Sequence, residues 1–510
     1  MTGLAFLLLV ASQVFARQAD STVAANGRLD YRPYSEAEIA TVLQRPLTME
    51  DCIRIALRKN IQLRMAEGNL ARAEASHTGS YGKFLPVFSL EGGRVNTLLK
   101  EPQQFKRPND LPDSLGGLVE ARFDNQATIF GSAQLFLPTG ATFQAVTDFL
   151  HDVRSPFGNP ISKNDNRSYE FSLTQPLLRG FGPTVARSSL ISTGYDRQIE
   201  EKLLLNSRLQ TVFAIKRAYY DALLARELVK VNEAAVRSDS ILIEASAALI
   251  EAKKASRRDV LSAQIRFADD RAALIASQTD YELALDNLKN VMGIAIDQPL
   301  TLEEKGLEYE PITLDEKQMV QLALQNNPSL QGTELGIKRS RIQLRVAKNE
   351  LLPQLDLVAA YSSNLEKDVV LNQSMSHSSG WQANLKLSYS FLSRDAAAKA
   401  ENAEIALRQQ EDRLLDQQRQ IMVNVRDIVR SVYTSTEEIN AIKRSIEVAE
   451  DKYAFATTMF SLGRASNFDI TDAQEFLLKA RNQYLRKLVE YHTRLALLES
   501  LTGQAVTPAR

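Results

Sequence analysis

Few side chains in this 510-residue chain have the type and spacing needed for catalysis or for holding a metal. Cys52 is the single cysteine, which excludes an intramolecular disulfide and argues against a thiolate metal site. No histidine has a second histidine three or four residues away, which argues against a metal site or a triad. The four histidines are His77, His151, His377 and His492. We therefore expect no enzyme, no metal and no cofactor.

Three carboxylates stand out by position. Asp469 and Asp472 are three residues apart near the start of a predicted helix, so they lie on one helical face. Asp259 takes the place of Asp469 in the first half of the chain, whereas Ser262 takes the place of Asp472. Acidic residues in a first turn are favoured as N-caps and by the helix dipole. Capping accounts for Asp259 and Asp469 but does not require Asp472.

Composition and charge exclude several classes of protein. Hydrophobic residues make up 44% and charged residues 24%, which is typical of folded proteins. Lys+Arg is 61 and Asp+Glu is 62, so the net charge of −1 gives no reason to expect nucleic acid as a partner.

The apolar run at residues 4–11 is too short to span a bilayer, for which about 20 residues are needed. Followed by Val14-Phe15-Ala16, it predicts a signal peptide.

The chain contains an internal repeat, which we interpret as a duplication. Four matches occur in the same order in both halves: 47–60 with 314–327, 84–86 with 351–353, 255–264 with 465–474, and 292–293 with 502–503. Each half has a helical pattern ending at Leu-Pro, then alternating segments, then a long stretch without Gly or Pro. Helices there would be about 100 Å long.

The alternating segments predict amphipathic strands. From Trp381 to Phe391 every odd position is apolar and every even position is polar. Strands of about ten residues with this pattern are typical of outer-membrane barrels, although a soluble sheet packed on one face has the same pattern. Two hairpins per chain would leave strand edges unpaired, so a barrel would have to be shared between subunits.

The duplicated unit resembles the TolC-like outer-membrane efflux proteins. The resemblance rests on Gln175–Gly182 after the first strands, on Leu462–Ser466 at a turn, and on Asp469 with Ala473-Gln474 after it. It implies a mixed membrane α/β fold: a trimeric transmembrane β-barrel of 12 strands, four from each chain, continued by a long periplasmic α-helical barrel. It also implies a bacterial outer-membrane location extending into the periplasm, contact with outer-membrane lipid, and function as the exit duct of a tripartite efflux or type I secretion system. The implied partners are a periplasmic adaptor (membrane fusion) protein and an inner-membrane transporter of RND or ABC type.

The repeat and the resemblance together predict the division of the chain. The first repeat, 47–293, is expected to contain a helix, strands within 85–178, a long helix 183–254, a tip at 252–258 and a helix 259–292. The second repeat, 314–503, is expected to contain a helix, strands within 354–391, a long helix 394–462, a tip at 462–467 and a helix 469–501. The remaining segments are a signal peptide 1–16, an N-terminal periplasmic segment 17–46, a linker 294–313 and a C-terminal tail 504–510.

The first half departs from the family pattern in one respect that bears on the fold. It carries about fifty extra residues between its strands. These residues predict an added hairpin that turns at Pro138-Thr139-Gly140, within about 120–150. The strand count per chain could then exceed four.

The resemblance also implies the functional residues. Asp469 and Asp472 would form an aspartate ring at the tunnel entrance, and the other candidates for the constriction are Asp259, Phe460 and Arg464. The candidates for adaptor contact at the two tips are Lys253, Lys254, Ala255, Ser256, Arg257, Gly463, Ala465 and Ser466. Many relatives have a tyrosine and an arginine where this chain has Phe460 and Ala465. The resemblance therefore does not indicate how this tunnel is held closed.

Two other classes of protein remain as alternatives. A periplasmic coiled-coil adaptor or scaffold would explain the long helices but not the strands beside them. A secreted α-helical pore-forming toxin would lack the duplication.

Overall fold

A computed structural model describes residues 31–102, 119–155, 162–251, 257–303, 307–368, 374–391, 393–462 and 464–504. The chain folds into two compact units. One unit contains the described residues of 1–64, 206–327 and 419–510. The other contains those of 65–205 and 328–418. The units therefore do not coincide with the two sequence repeats.

The second unit contains one antiparallel sheet whose six strands follow each other in chain order. The strands are β1 Val87–Pro102, β2 Val119–Phe136, β3 Thr142–Ser155, β4 Ser162–Pro176, β5 Gln354–Asp368 and β6 Ser374–Ser388. The extra hairpin is β2 and β3, and its turn contains Gly140 at φ +97°. The structure therefore gives six strands, where the resemblance implied four.

Strand alternation and register give this sheet one apolar and one polar face. One row of paired residues crosses all six strands on the apolar face: Phe88, Ala133, Ala145, Phe171, Tyr361 and Trp381. The neighbouring row on the opposite face is Ser89, Ser132, Val146, Glu170, Ser362 and Gly380. Because side chains alternate with period two, the register keeps the two sets apart across the whole sheet.

Ten α-helices are described in the two units. They are α1 Glu36–Val42, α2 Met49–Lys59, α3 Ile61–Ser80, α4 Pro183–Ala186, α5 Ser188–Glu251, α6 Arg257–Met292, α7 Glu316–Asn326, α8 Pro328–Glu350, α9 Arg394–Ser461 and α10 Asn467–Thr502. A 3-10 turn, Tyr81–Phe84, leads into β1. Helices α5 and α9 have 64 and 68 residues. No helix among the described residues is both long enough and apolar enough to cross a membrane.

The first helical stretch of each repeat is broken into two helices. Asn60 separates α2 from α3, and Asn327 separates α7 from α8. The backbone of Asn327 is extended (ψ 117°) because a residue before proline is pushed out of the α region. Asn60 is also extended (ψ 127°), and its Oδ1 accepts from the Leu63 N–H at 3.0 Å. The sequence pattern alone predicts one unbroken helix in each half, and this prediction is wrong.

The core of the first unit contains the start of the first repeat. Ile53, Ile55 and Cys52 of α2 are buried against Ile215 of α5 and Met292 of α6. Burial raises the pKa of the Cys52 thiol to about 12, so this thiol is unreactive at neutral pH. Lys216 and Glu499 form a buried ion pair between α5 and α10 in the same unit.

Candidate functional site

The predicted tips lie where α5 gives way to α6 and α9 to α10, in the first unit. Lys253, Lys254, Ala255, Ser256 and Gly463 lie outside the described residues. Around the tips the four helices share a small apolar cluster. Its buried members are Leu242, Ala263, Ala456, Phe460, Ile470 and Ala473. This cluster holds the helix ends together.

Phe460 is part of that cluster. It is only 7% exposed, so its ring packs within the chain. Ala465 is partly buried against the same cluster, whereas Arg464, Ser466 and Arg257 are exposed. A contribution of Phe460 or Arg464 to a constriction stays a prediction.

Asp469 caps the start of α10. Its Oδ2 accepts hydrogen bonds from the backbone N–H and the hydroxyl of Ser466, both at 2.8 Å. The hydrogen bonds from the backbone and side chain of Ser466 lower the pKa of the Asp469 carboxyl, so it is ionised at neutral pH. Ser466 is the N-cap and Asp469 is the N3 residue of a capping box, so Asp469 supports the helix start although it is not the N-cap itself.

Asp472 has a partner on a different helix. Lys452 of α9 donates to its Oδ2 at 2.7 Å, and both side chains are about 40% exposed. The same ammonium lies 4.1 Å from the ring centroid of Phe476. Exposed pairs of this kind contribute at most about 1 kcal/mol to stability. Asp472 is therefore a partly exposed carboxylate with a lysine beside it.

Asp259 lies near the start of α6. There the buried side-chain amide of Asn467 forms hydrogen bonds between the two tips. Asn467 is 1% exposed and its Nδ2 donates to the Asp259 carbonyl at 2.9 Å and to Ser246 Oγ at 2.7 Å. Ser246 in turn donates to the Leu242 carbonyl at 2.6 Å. These contacts join α5, α6 and α10, which positions the first turn that carries Asp469.

A charged groove of about 520 Å³ runs between α6 and α10. Four carboxylates and two guanidinium groups are among its lining residues: Asp259, Asp269, Asp472, Glu475, Arg258 and Arg266. Asp469 is not part of its lining. The groove therefore brings Asp472 and Asp259 together, but not Asp469. Its negative excess would attract cations.

A buried polar network close to the tips was not predicted from the sequence. Gln474 Nε2 donates to Asp239 Oδ1 at 2.9 Å, and Ser238 Oγ lies 2.6 Å from the Tyr453 hydroxyl. The side chain of Asp239 also interacts with the carboxyl group of Asp270. Burial raises the pKa of Asp239 to about 6; the bond from Gln474 opposes this rise and the Asp270 carboxyl adds to it. Of these residues, Gln474 had been singled out from the sequence. In the structure Gln474 is buried, whereas its repeat counterpart, Gln264, is exposed.

These groups can carry charge and hold helices in register. Within the described ranges, no group of three or more His, Cys, Asp or Glu side chains could hold a metal ion. The tip region thus provides an ionised, solvent-facing surface on a packed helical support.

Comparison with known proteins shows which family the chain resembles. Residues 319–504 match the family described as outer membrane efflux protein. The match covers 186 of the 510 residues, so this part of the chain is similar to the outer membrane efflux protein family. It is 24% identical over 410 residues to the proteases secretion protein PrtF of Dickeya chrysanthemi, covering 78% of this chain and 86% of PrtF. It is 23% identical over 319 residues to the alkaline protease secretion protein AprF of Pseudomonas aeruginosa, covering 61% of this chain and 66% of AprF, just under two thirds.

The fold of this chain is shared with solved structures. The outer membrane protein VceC of Vibrio cholerae has a TM-score of 0.65 at 15% identity, over 90% of this chain and 96% of VceC. This likeness shows the fold alone. The expected resemblance is confirmed, and similarity to outer membrane efflux and protease secretion proteins favours an exit duct over a periplasmic adaptor.

Proposed function

We propose that this chain is the outer-membrane exit duct of a type I secretion or tripartite efflux system. One observation carries the proposal: a single apolar face extends over all six strands of a sheet that is joined to long helices. Large apolar side chains on this face are exposed, including Leu90 at 81% and Trp381 at 82%. Water does not favour such a face, whereas lipid does.

The duct would be a homotrimer with a transmembrane barrel continued by a helical barrel. Both outer edges of the sheet lack a strand partner within the described residues. In lipid, unpaired backbone groups cost several kcal/mol each, so the edges must meet strands of other copies. Light scattering of the detergent-solubilised protein should return three chains per particle. A monomer with its full strand content would refute the proposal.

The substrate and partners follow from the relatives. AprF and PrtF are named for protease secretion, which favours a polypeptide as substrate and an ABC-type transporter over an RND-type transporter. A periplasmic adaptor would complete the path. Deletion of the chain should stop export of the substrate while the inner-membrane transporter remains assembled; continued export would contradict the function.

The adaptor would contact the two tips, at Arg257, Ala465 and Ser466 together with the undescribed tip residues. Arg257 and Ser466 are exposed at the helix ends, where a partner can reach them. Gly463→Trp should abolish export while the trimer and its membrane insertion persist, because a bulky ring blocks close approach of a partner. Gly463→Ala is the matched control and should retain export. Normal export by Gly463→Trp would argue against contact at this tip.

A ring of carboxylates would line the periplasmic entrance. Asp472 is the stronger candidate, since it is exposed and its charge is not required for capping. Asp469 is ionised as well, so three copies would bring six carboxylates together. Such a ring favours cations.

A further inference from the structure

We propose that each copy contributes six strands to the shared sheet, so that a trimer closes a barrel of 18 strands instead of 12. The pairing surfaces are the free edges of β1 and β6, and the partner of each is a second copy of this chain. The inference rests on the proposed trimer. It adds that the hairpin of β2 and β3 is part of the barrel wall.

The hairpin is a full member of the sheet. Strand β2 pairs with the whole length of β1, from Val87 with Gln134 to Pro102 with Val119. The facing residues Ser89 and Ser132 have their hydroxyls 2.7 Å apart. On its other side β3 pairs with β4 from Thr142 to Arg154. A hairpin folded away from the wall would have neither ladder.

The hairpin also has the pattern required of a wall. In β2 the apolar side chains Ile129, Ala133 and Leu135 share the face of Phe149 and Phe143 in β3, to which Ile129 and Leu135 are paired. Ile129 is 53% exposed and Phe143 is 38% exposed. An external loop has no need of exposed apolar side chains that recur on one face of its strands. Contact with lipid does require them.

The two free edges fit each other. Six consecutive antiparallel strands place β1 and β6 in opposite directions, so β6 of one copy can pair in antiparallel fashion with β1 of the next. Strand β1 has 16 residues and β6 has 15. Both carry large apolar residues on the apolar face, with Phe88 at 73% exposed and Leu385 at 68%. Head-to-tail pairing therefore continues both faces around a closed ring.

The added strands would widen the barrel by half. Strands about 4.8 Å apart and tilted by about 40° each occupy about 6 Å of circumference. Twelve strands then give a circumference of about 75 Å, and 18 give about 110 Å.

Pairs of introduced cysteines test this arrangement. Within one copy β1 and β6 are about 24 Å apart, at five strand spacings. A disulfide requires Cα atoms within about 7 Å, so a link between them must join two copies. Ser89→Cys should be combined in turn with Gly380→Cys, Gln382→Cys and Asn384→Cys, which sample the register. Oxidation in outer membranes should give covalent dimers and trimers for at least one combination, reversed by a thiol reductant.

Two further pairs separate the outcomes. Ser89→Cys with Ser132→Cys is the positive control and should form a link within one copy. Ser89→Cys with Glu170→Cys should form none, because β1 and β4 are about 14 Å apart in the six-strand sheet. Formation of that link in a trimer would show that the hairpin leaves the wall, and would overturn the inference while the trimer stands.

Failure of the proposed function has a different signature. A particle that is monomeric by light scattering, with no link between copies, removes both the trimer and the inference. A trimer that forms the positive-control link but none between β1 and β6 overturns the inference alone.

Discussion

Replacing Asp239 with asparagine should make the stability of the helix ends nearly independent of pH. The pKa of Asp239 is raised from 3.8 to about 6 in the folded chain. Folding is therefore favoured while this carboxyl is protonated, and the advantage is lost as the pH rises through about 4 to 6. Above pH 7, a pKa shift of this size lowers the free energy of unfolding by about 3 kcal/mol relative to its value with the carboxyl protonated. Asparagine keeps an oxygen for Gln474 and offers an amide donor to Asp270, so it imitates the protonated acid.

Hydrogen exchange of the detergent-solubilised protein measures this effect locally. After correction for the intrinsic pH dependence of exchange, amides of α5 around Asp239 should lose about tenfold in protection between pH 5 and pH 8. In Asp239→Asn the loss should be less than about twofold. Asp280→Asn removes an exposed carboxylate from α6 and should behave like the wild type. A tenfold loss that persists in Asp239→Asn would refute the assignment.

Two other substitutions test the tip and the core. In planar bilayers Asp472→Asn should lower the preference for cations and weaken block by trivalent cations, whereas Lys452→Gln should raise that preference, because it removes the neighbouring positive charge; unchanged selectivity in both would leave Asp472 without a role in conduction. Gly293→Ala should destabilise the fold by about 2 kcal/mol or more, because φ is +77° and a Cβ would lie 2.4 Å from the Lys59 carbonyl oxygen. Gly68→Ala in α3 meets nothing within 4 Å and should stabilise by about 1 kcal/mol; thermal melting that does not separate the two glycine variants would contradict this reasoning.

The strands and their faces could be predicted because the two-residue period is a local signal. Trp381 and Leu385 are expected on one apolar face, and the register places both there. The turn at Pro138-Thr139-Gly140 is likewise predicted, because proline and glycine favour turns. The number of strands in the sheet does not follow from this local signal, since it depends on whether β2 and β3 join the same sheet.

The polar network and the helix breaks could not be predicted from local pattern. In the sequence Asp239 is one more acid on a helix, and only the packing of α5 against α10 buries it beside Gln474. Asn60 lacks the proline that follows Asn327, so its break depends on tertiary contacts, among them a 2.7 Å bond from its Nδ2 to the Val291 carbonyl. Asp469 was predicted as an N-cap from its place in a first turn, whereas in the structure Ser466 is the N-cap and Asp469 is the N3 residue of the capping box.

The strand order has a consequence for how the chain folds. Four of the five ladders join strands that follow each other directly, whereas the ladder between β4 and β5 joins strands separated by α4–α8. Closing that gap costs chain entropy before any hydrogen bond forms. Strands β1–β4 can pair with one another before β5 joins them, and β4 presents an open edge until then. Within one copy, the slow step of sheet formation therefore lies at the pairing of β4 with β5, which is also where an incomplete chain would aggregate.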